Sequence, residues 1–239
     1  MTRRHANRAI IVLESPWELD KTDANRSSVL PFVEGVAKLA GDMEVLHANY
    51  YDEKSFLYAI RCLSKAKYRN AIVYIAAHGG GEEVGNIGLL SAFAAVGLVA
   101  EECNINGVLI GSCFGGECRT TMEIGIAKSR LRWCAAYASS ANWFEGTLID
   151  CAILAAMIDL SPAAHKDGDR LVETFAQAIS PFSPLFPIGK DDEGQPVALC
   201  DSLQFVIQPD GQGHRARNVS DDVFGRHSDY QMSEEEDDE

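Results

Sequence analysis

The sequence predicts an α/β fold: a mainly parallel sheet of about five or six strands with helices on both faces. Three observations predict it. Continuous apolar runs rich in β-branched residues recur along the chain, as in strands buried on both faces. Amphipathic segments of helical period lie between them, one per interval. Each apolar run is thus followed by a single crossover, the connection that parallel neighbours require.

Residues 9–13, Ala-Ile-Ile-Val-Leu, form the first strand, closed by Glu14-Ser-Pro16. A polar loop follows, with Trp17 as an anchor under the sheet edge. Ser27 and Ser28 can cap a helix that places Val29, Phe32, Val33, Val36, Ala37 and Ala40 on one face and stops at Gly41. Residues 43–47 read as a second strand. Residues 53–67 read as a helix burying Phe56, Leu57, Ile60 and Leu63. The strongest strand is 71–77, which runs into His78-Gly-Gly-Gly81. A helix over 89–102 precedes a strand over 107–110, which leads into Gly111-Ser-Cys-Phe-Gly-Gly116. The spacing then predicts a helix over 120–128, a fifth strand over 131–137, and helices over 147–160 and 169–179. Residues 180–195 read as irregular, and 197–207 as an edge strand. No repeat or linker divides the body. Residues 1–212 are therefore read as one domain, and 213–239 as an acidic, disordered tail.

Composition narrows the function. The 239 residues are 46% hydrophobic and 23% charged, as in soluble globular proteins, and carry a net charge of −14. The last twenty residues alone hold nine acidic groups against Arg226. A chain this acidic, with no basic stripe, excludes wrapping of nucleic acid. No apolar run reaches the roughly 18–20 residues that span a bilayer, and the basic start lacks the apolar stretch of a signal peptide. The seven cysteines (Cys62, Cys103, Cys113, Cys118, Cys134, Cys151 and Cys200) are odd in number, irregularly spaced and without a CxxC. Neither a disulfide framework nor a structural zinc site is expected, and most read as small core residues in a reducing cytoplasm.

The chemistry is expected where strands end. In open α/β sheets the working residues gather at the carboxyl edge. His78 ends the third strand and Cys113 the fourth, with one crossover helix between, so the two strands should be neighbours. An imidazole beside a thiol can take its proton and later protonate a leaving amine. Gly79, Gly111, Gly115 and Gly116 let backbone approach a substrate and aim N–H groups at a developing oxyanion.

The two segments Val73-Tyr-Ile-Ala-Ala-His-Gly79 and Val108-Leu-Ile-Gly-Ser-Cys-Phe-Gly115 resemble the caspase-like (clan CD) cysteine peptidases over about residues 8–160. The Q-A-C-[RQG]-G signature of animal caspases is absent, and the bacterial branches, the CHAT peptidases among them, are nearer. The resemblance implies a caspase-like sandwich and a His78/Cys113 dyad that cleaves peptide bonds through an acyl-enzyme. It further implies Gly79 and Cys113 N–H groups as oxyanion donors, and a specificity pocket shaped by the loop after the fifth strand. Ser140, Asn142, Trp143 and Glu145 are the substrate-binding candidates there. Glu145 and Asp150 would suit a basic P1 residue, although a helix's first turn also favours acids at its surface, the plainer reading of both. No metal or organic cofactor is required. The partners expected are a protein or peptide substrate and an activating protein, with neither nucleic acid nor membrane.

Two other classes stay open. Gly111-Ser-Cys-Phe-Gly115 also matches a G-x-[S/C]-x-G nucleophile elbow, and His78-Gly-Gly-Gly81 mimics an esterase oxyanion motif, so the chain is similar to dienelactone hydrolases. That reading needs an acid and a histidine after Cys113, with Asp169 or Asp201 and His214 or His227 as candidates. The third class is a catalytically silent scaffold that docks a basic partner through the acidic tail. Cys118 reads as packing or as a disulfide partner of Cys113. Lys128, Arg130, Arg215 and Arg217 would be self-cleavage positions under a basic P1 preference.

Overall fold

The computed structural model describes residues 6–16, 28–117, 119–127, 129–210 and 215–236. The readings of Trp17, Ser27, Cys118, Lys128 and His214 lie outside the described residues. In chain order the elements are β1 (Arg8–Glu14), α1 (Leu30–Ala40), β2 (Met43–Asn49), α2 (Glu53–Leu63), β3 (Asn70–Ala76), β4 (Gly79–Gly80), β5 (Glu83–Val84) and β6 (Ile87–Gly88). They continue with α3 (Leu89–Cys103), β7 (Ile105–Gly111), α4 (Arg119–Ile126), β8 (Trp133–Tyr137), α5 (Trp143–Asp159) and α6 (Gly168–Ile179). The last are β9 (Pro187–Lys190), β10 (Pro196–Ala198), α7 (Leu199–Ser202), β11 (Leu203–Ile207), β12 (Arg217–Asn218) and α8 (Ser220–Glu236).

Among the described residues the main sheet has seven strands in the order β12-β11-β8-β7-β3-β1-β2. The five expected strands are there, and all five run parallel. The segment expected as one edge strand is divided. Its start pairs with β9 as a separate ribbon, α7 turns the chain, and β11 alone joins the sheet, antiparallel to β8. The short β12 covers part of its outer side. The Ala138 N–H donates to the Ser202 carbonyl at 2.7 Å, tying the turn in α7 to the end of β8.

Strand alternation divides the core in two. Ile11 and Leu13 face the layer of α2, α3 and α4. Ile10 and Val12 face α1, α5, α6 and α8. Both sets are apolar because helices cover both faces, which is why the strands read as unbroken apolar runs. Asp52 and Ser55 form a reciprocal capping box that starts α2. Ser64, whose hydroxyl donates to the Ile60 carbonyl, ends it earlier than the pattern suggested.

Two boundaries change the reading of function. α5 begins at Trp143, a turn before the expected start, and the Thr147 hydroxyl bonds back to the Trp143 carbonyl at 2.6 Å. The segment expected as a disordered tail from residue 213 carries α8 instead. Val223 and His227 are buried, and the His227 Nε2 lies 2.9 Å from the Phe182 carbonyl. Asp221 and Asp222 occupy the first turn of α8, where the helix dipole favours acids. Among the described residues no helix is long and apolar enough to cross a membrane.

Candidate active site

β3 and β7 are neighbours, with Ala76 paired to Gly111. His78 and Cys113 therefore each stand two residues beyond the last pair, at one height on the carboxyl edge. The backbone just beyond His78 runs against the Cys113 turn. A Cβ at Gly79 would lie 2.2 Å from the Cys113 carbonyl oxygen and 2.8 Å from the Ser112 hydroxyl oxygen. Only glycine lets the chain leave His78 along the flank of Cys113.

Each residue is braced by its own loop. His78 is exposed, and its carbonyl accepts the Gly85 N–H at 2.8 Å. The ribbon β4-β5-β6 beyond it is fastened by Tyr50, whose hydroxyl donates to the Val84 carbonyl at 3.2 Å. Cys113 is half-buried. Its turn is held by the Phe114 N–H on the Ser139 carbonyl (3.0 Å) and the Gly116 N–H on the Tyr137 carbonyl (2.7 Å). The Cys113 Sγ accepts the Ala141 N–H at 3.5 Å. Alternation explains that contact: the N–H groups of Ser140 and Asn142 point the other way, to the carbonyls of Lys190 and Ile188 in β9.

Beside Cys113 lies a narrow pocket with a free volume of about 20 Å³, room for roughly one water. Val29, Asn142 and Trp143 are among its walls, and Tyr74, Tyr137 and Asp150 lie at its base. Asp150 is only 2% exposed. Its carboxylate accepts the Tyr74 hydroxyl at 2.7 Å and the Tyr137 hydroxyl at 2.9 Å. Burial pushes its pKa up to about 7, against the lowering effect of those two hydrogen bonds. The same burial, with Asp150 beside them, pushes both tyrosines well above their ordinary value. A Cβ at Gly111 would lie 2.6 Å from Asp150 Oδ2, so glycine there admits the carboxylate beneath the cysteine strand.

The structure lines that pocket with Cys113, Asn142 and Trp143, and sets Gly79 against the Cys113 turn, with His78 at the end of the neighbouring strand. It does not bring Ser140 or Glu145 to that pocket. The Ser140 hydroxyl donates to the Lys190 carbonyl at 2.8 Å and accepts the Lys190 N–H at 2.7 Å, which fastens the loop to β9. Glu145 lies on the opposite side of α5, in a groove with Leu148, Phe182 and Phe186. Asp150 is two turns into α5 and buried, not a surface acid of the first turn. Sequence spacing carried a signal: Trp143, Gly146, Thr147 and Asp150 form one i, i+3, i+4, i+7 stripe, an acid on a face that continues as Ile153, Leu154 and Met157. Tyr74 and Tyr137 had no such signal, because both read as ordinary strand residues.

The hydrolase reading is weakened at its elbow and at two of its four candidate partners. The left-handed residue of the turn is Phe114 (φ 59°), one past the cysteine, whereas a nucleophile elbow strains the nucleophile itself. His227 is committed to Phe182 in the layer of α6 and α8, and Asp169 to Arg226.

No family model matches the sequence, and no curated protein matches it. Among solved structures the fold is similar to that of iotapain, a secreted C11 cysteine protease from Bacteroides thetaiotaomicron, with a TM-score of 0.53 at 10% identity. The match covers 84% of this chain and 66% of that one, so this chain spans just under two thirds of its neighbour's length. The likeness is one of architecture: the chain has the mostly parallel, double-faced caspase-like sandwich, on which that C11 protease is also built.

Proposed function

We propose that this chain is a cysteine endopeptidase that cleaves after basic residues, with Cys113 as nucleophile and His78 as general base and acid. The observation that carries the reading is the buried Asp150 carboxylate at the base of a pocket whose wall includes Cys113. A lysine or arginine side chain entering there supplies the cation that a buried carboxylate otherwise lacks. Its entry widens the narrow pocket on the side of Asn142, which is exposed. The fold shared with a C11 cysteine protease supports the same class of reaction.

The chemistry follows from the two strand ends. His78 takes the Sγ proton, and the thiolate attacks the scissile carbonyl carbon. The oxyanion that forms is received by the Gly79 and Cys113 N–H groups. As the C–N bond breaks, the imidazolium returns the proton to the leaving amine. Water, deprotonated by His78, then opens the thioester, releases the acid and restores the thiol. The scheme requires no metal or organic cofactor. A place among the bacterial caspase-like branches, the CHAT peptidases included, belongs to the same proposal, and the likeness to a C11 cysteine protease supports it at the level of architecture. A reducing cytoplasm and an activating protein partner belong to the same proposal. The six described cysteines are free thiols, which suits that compartment.

Iodoacetamide labelling of each cysteine across pH, combined with a fluorogenic peptide panel, tests the reading. Cys113 should alkylate fastest below pH 7 and lose that advantage in His78→Ala. Peptides with P1 lysine or arginine should be cleaved, and Cys113→Ala should abolish the cleavage. An inert Cys113 in the wild type, with no peptide cleaved, would favour the scaffold reading.

A further inference from the structure

We propose that Glu14 is a positioning residue that fixes one wall of the Cys113 pocket through the first turn of α1. Its effect on substrate rests on the peptidase reading above. Glu14 is the last residue of β1 and is 4% exposed. Its carboxylate accepts the Val29 N–H at 2.8 Å and the Ser28 hydroxyl at 2.9 Å, and lies 3.1 Å from His47 Nε2 on β2.

The start of α1 has no other such tie to the sheet among the described residues. Val29 is the N-cap and offers no side-chain cap of its own. The Leu30 N–H goes to the Ser28 hydroxyl oxygen (3.2 Å), Pro31 has none, and the Phe32 N–H goes to the Val29 carbonyl (3.1 Å). The donors that a helix leaves unsatisfied at its start are thus used locally, apart from the one that Glu14 takes. A carboxylate at that place gains from the helix dipole and makes a charge-assisted bond.

What the clamp holds is the pocket. Val29 is one wall. One turn on, the Phe32 ring packs edge-on against Trp143, another wall, with centroids 5.6 Å apart. Its second neighbour is Phe144, at 6.1 Å. Fixing Val29 therefore also fixes the ring on which Trp143 rests. With the clamp in place the pocket is organised before a basic side chain arrives. Without it, ordering α1 becomes part of the cost of binding.

The test compares two reagents on the full chain: iodoacetamide, which needs no pocket, and a lysyl chloromethyl ketone peptide, which does. In Glu14→Ala the lysyl reagent should label Cys113 about tenfold more slowly, the cost of one charge-assisted hydrogen bond. Glu14→Gln should keep most of the rate, because its amide oxygen still accepts the Val29 N–H. Phe32→Ala, at a half-buried position, should slow the same reagent without threatening the fold. Iodoacetamide labelling should be unchanged in all three. Equal lysyl rates in Glu14→Ala and wild type would overturn the proposal, as would a parallel loss with both reagents. If wild type shows no preference for lysyl over alanyl reagent, the basic-residue reading fails instead. Amide exchange at Val29 then decides the clamp: protection that is unchanged in Glu14→Ala overturns it.

Discussion

The hydroxyl of Tyr74 donates to Asp150 Oδ2 at 2.7 Å, from β3, four residues before His78. Tyr137, on β8, makes the matching bond to the other oxygen. The carboxylate beneath Cys113 is thus held from both sides of the cysteine strand, by residues whose places the sheet fixes.

Substrate binding should follow the charge on Asp150. Because burial raises its pKa to about 7, the carboxylate is neutralised as pH falls through that value. KM for a P1-lysine peptide should rise accordingly below pH 7. Asp150→Asn should abolish this dependence and raise KM at pH 8 by about 10–100-fold, the range for a lost hydrogen bond to a charged group. Steady-state kinetics over pH 5–9 on both proteins checks it.

Stability should respond with the opposite preference. A carboxyl whose folded pKa lies above its unfolded one contributes stability below about pH 4, and this is lost as pH rises through about 7. Asp150→Asn should therefore gain on wild type between pH 4 and pH 8, by on the order of 4 kcal/mol at most. Urea unfolding at the two pH values measures the difference.

His165 should make the fold acid-labile. It is 1% exposed, neither ring nitrogen has a hydrogen-bond partner among the described residues, and burial lowers its pKa to about 4 with help from Arg132. The neutral ring's contribution is present above about pH 6.5 and lost as pH falls through 4. His165→Leu should gain about 3 kcal/mol relative to wild type between pH 8 and pH 4. A stability difference that does not change with pH would contradict this.

Gly79→Ala should damage the site more than the fold. The added methyl would meet the Cys113 carbonyl, backbone that has no rotamer to escape into. Displacement of that loop by about 1 Å is enough for a loss on the order of 100-fold in kcat/KM. The labelling advantage of Cys113 should fall with it, while thermal unfolding shifts by only a few degrees.

Much of this was legible in the chain. The apolar runs marked β1, β3, β7 and β8 because a strand covered on both faces has no polar side to confuse the pattern, while β2, at the sheet edge with Glu44 and His47, showed only as a short run. His78 and Cys113 could be paired because a single crossover separates their strands. The tail misled because its charge hid Val223, Phe224 and His227, residues by which α8 docks. Glu145 and Asp150 looked equivalent, two acids near a helix start. Five residues of helix turn one outward and the other into the pocket.

The sequence by itself determined the double-faced parallel sheet and put His78 and Cys113 at its carboxyl edge, since hydrophobic periodicity and the alternation of strands with crossovers along the chain are local properties. Tertiary structure alone decided what surrounds them. It set Tyr74, Tyr137 and Asp150 under the cysteine, Ser140 on β9 and Glu14 on α1. Those relationships join residues 13 to 76 positions apart, and the geometry of packed layers, not chain neighbourhood, brings their polar atoms within bonding distance.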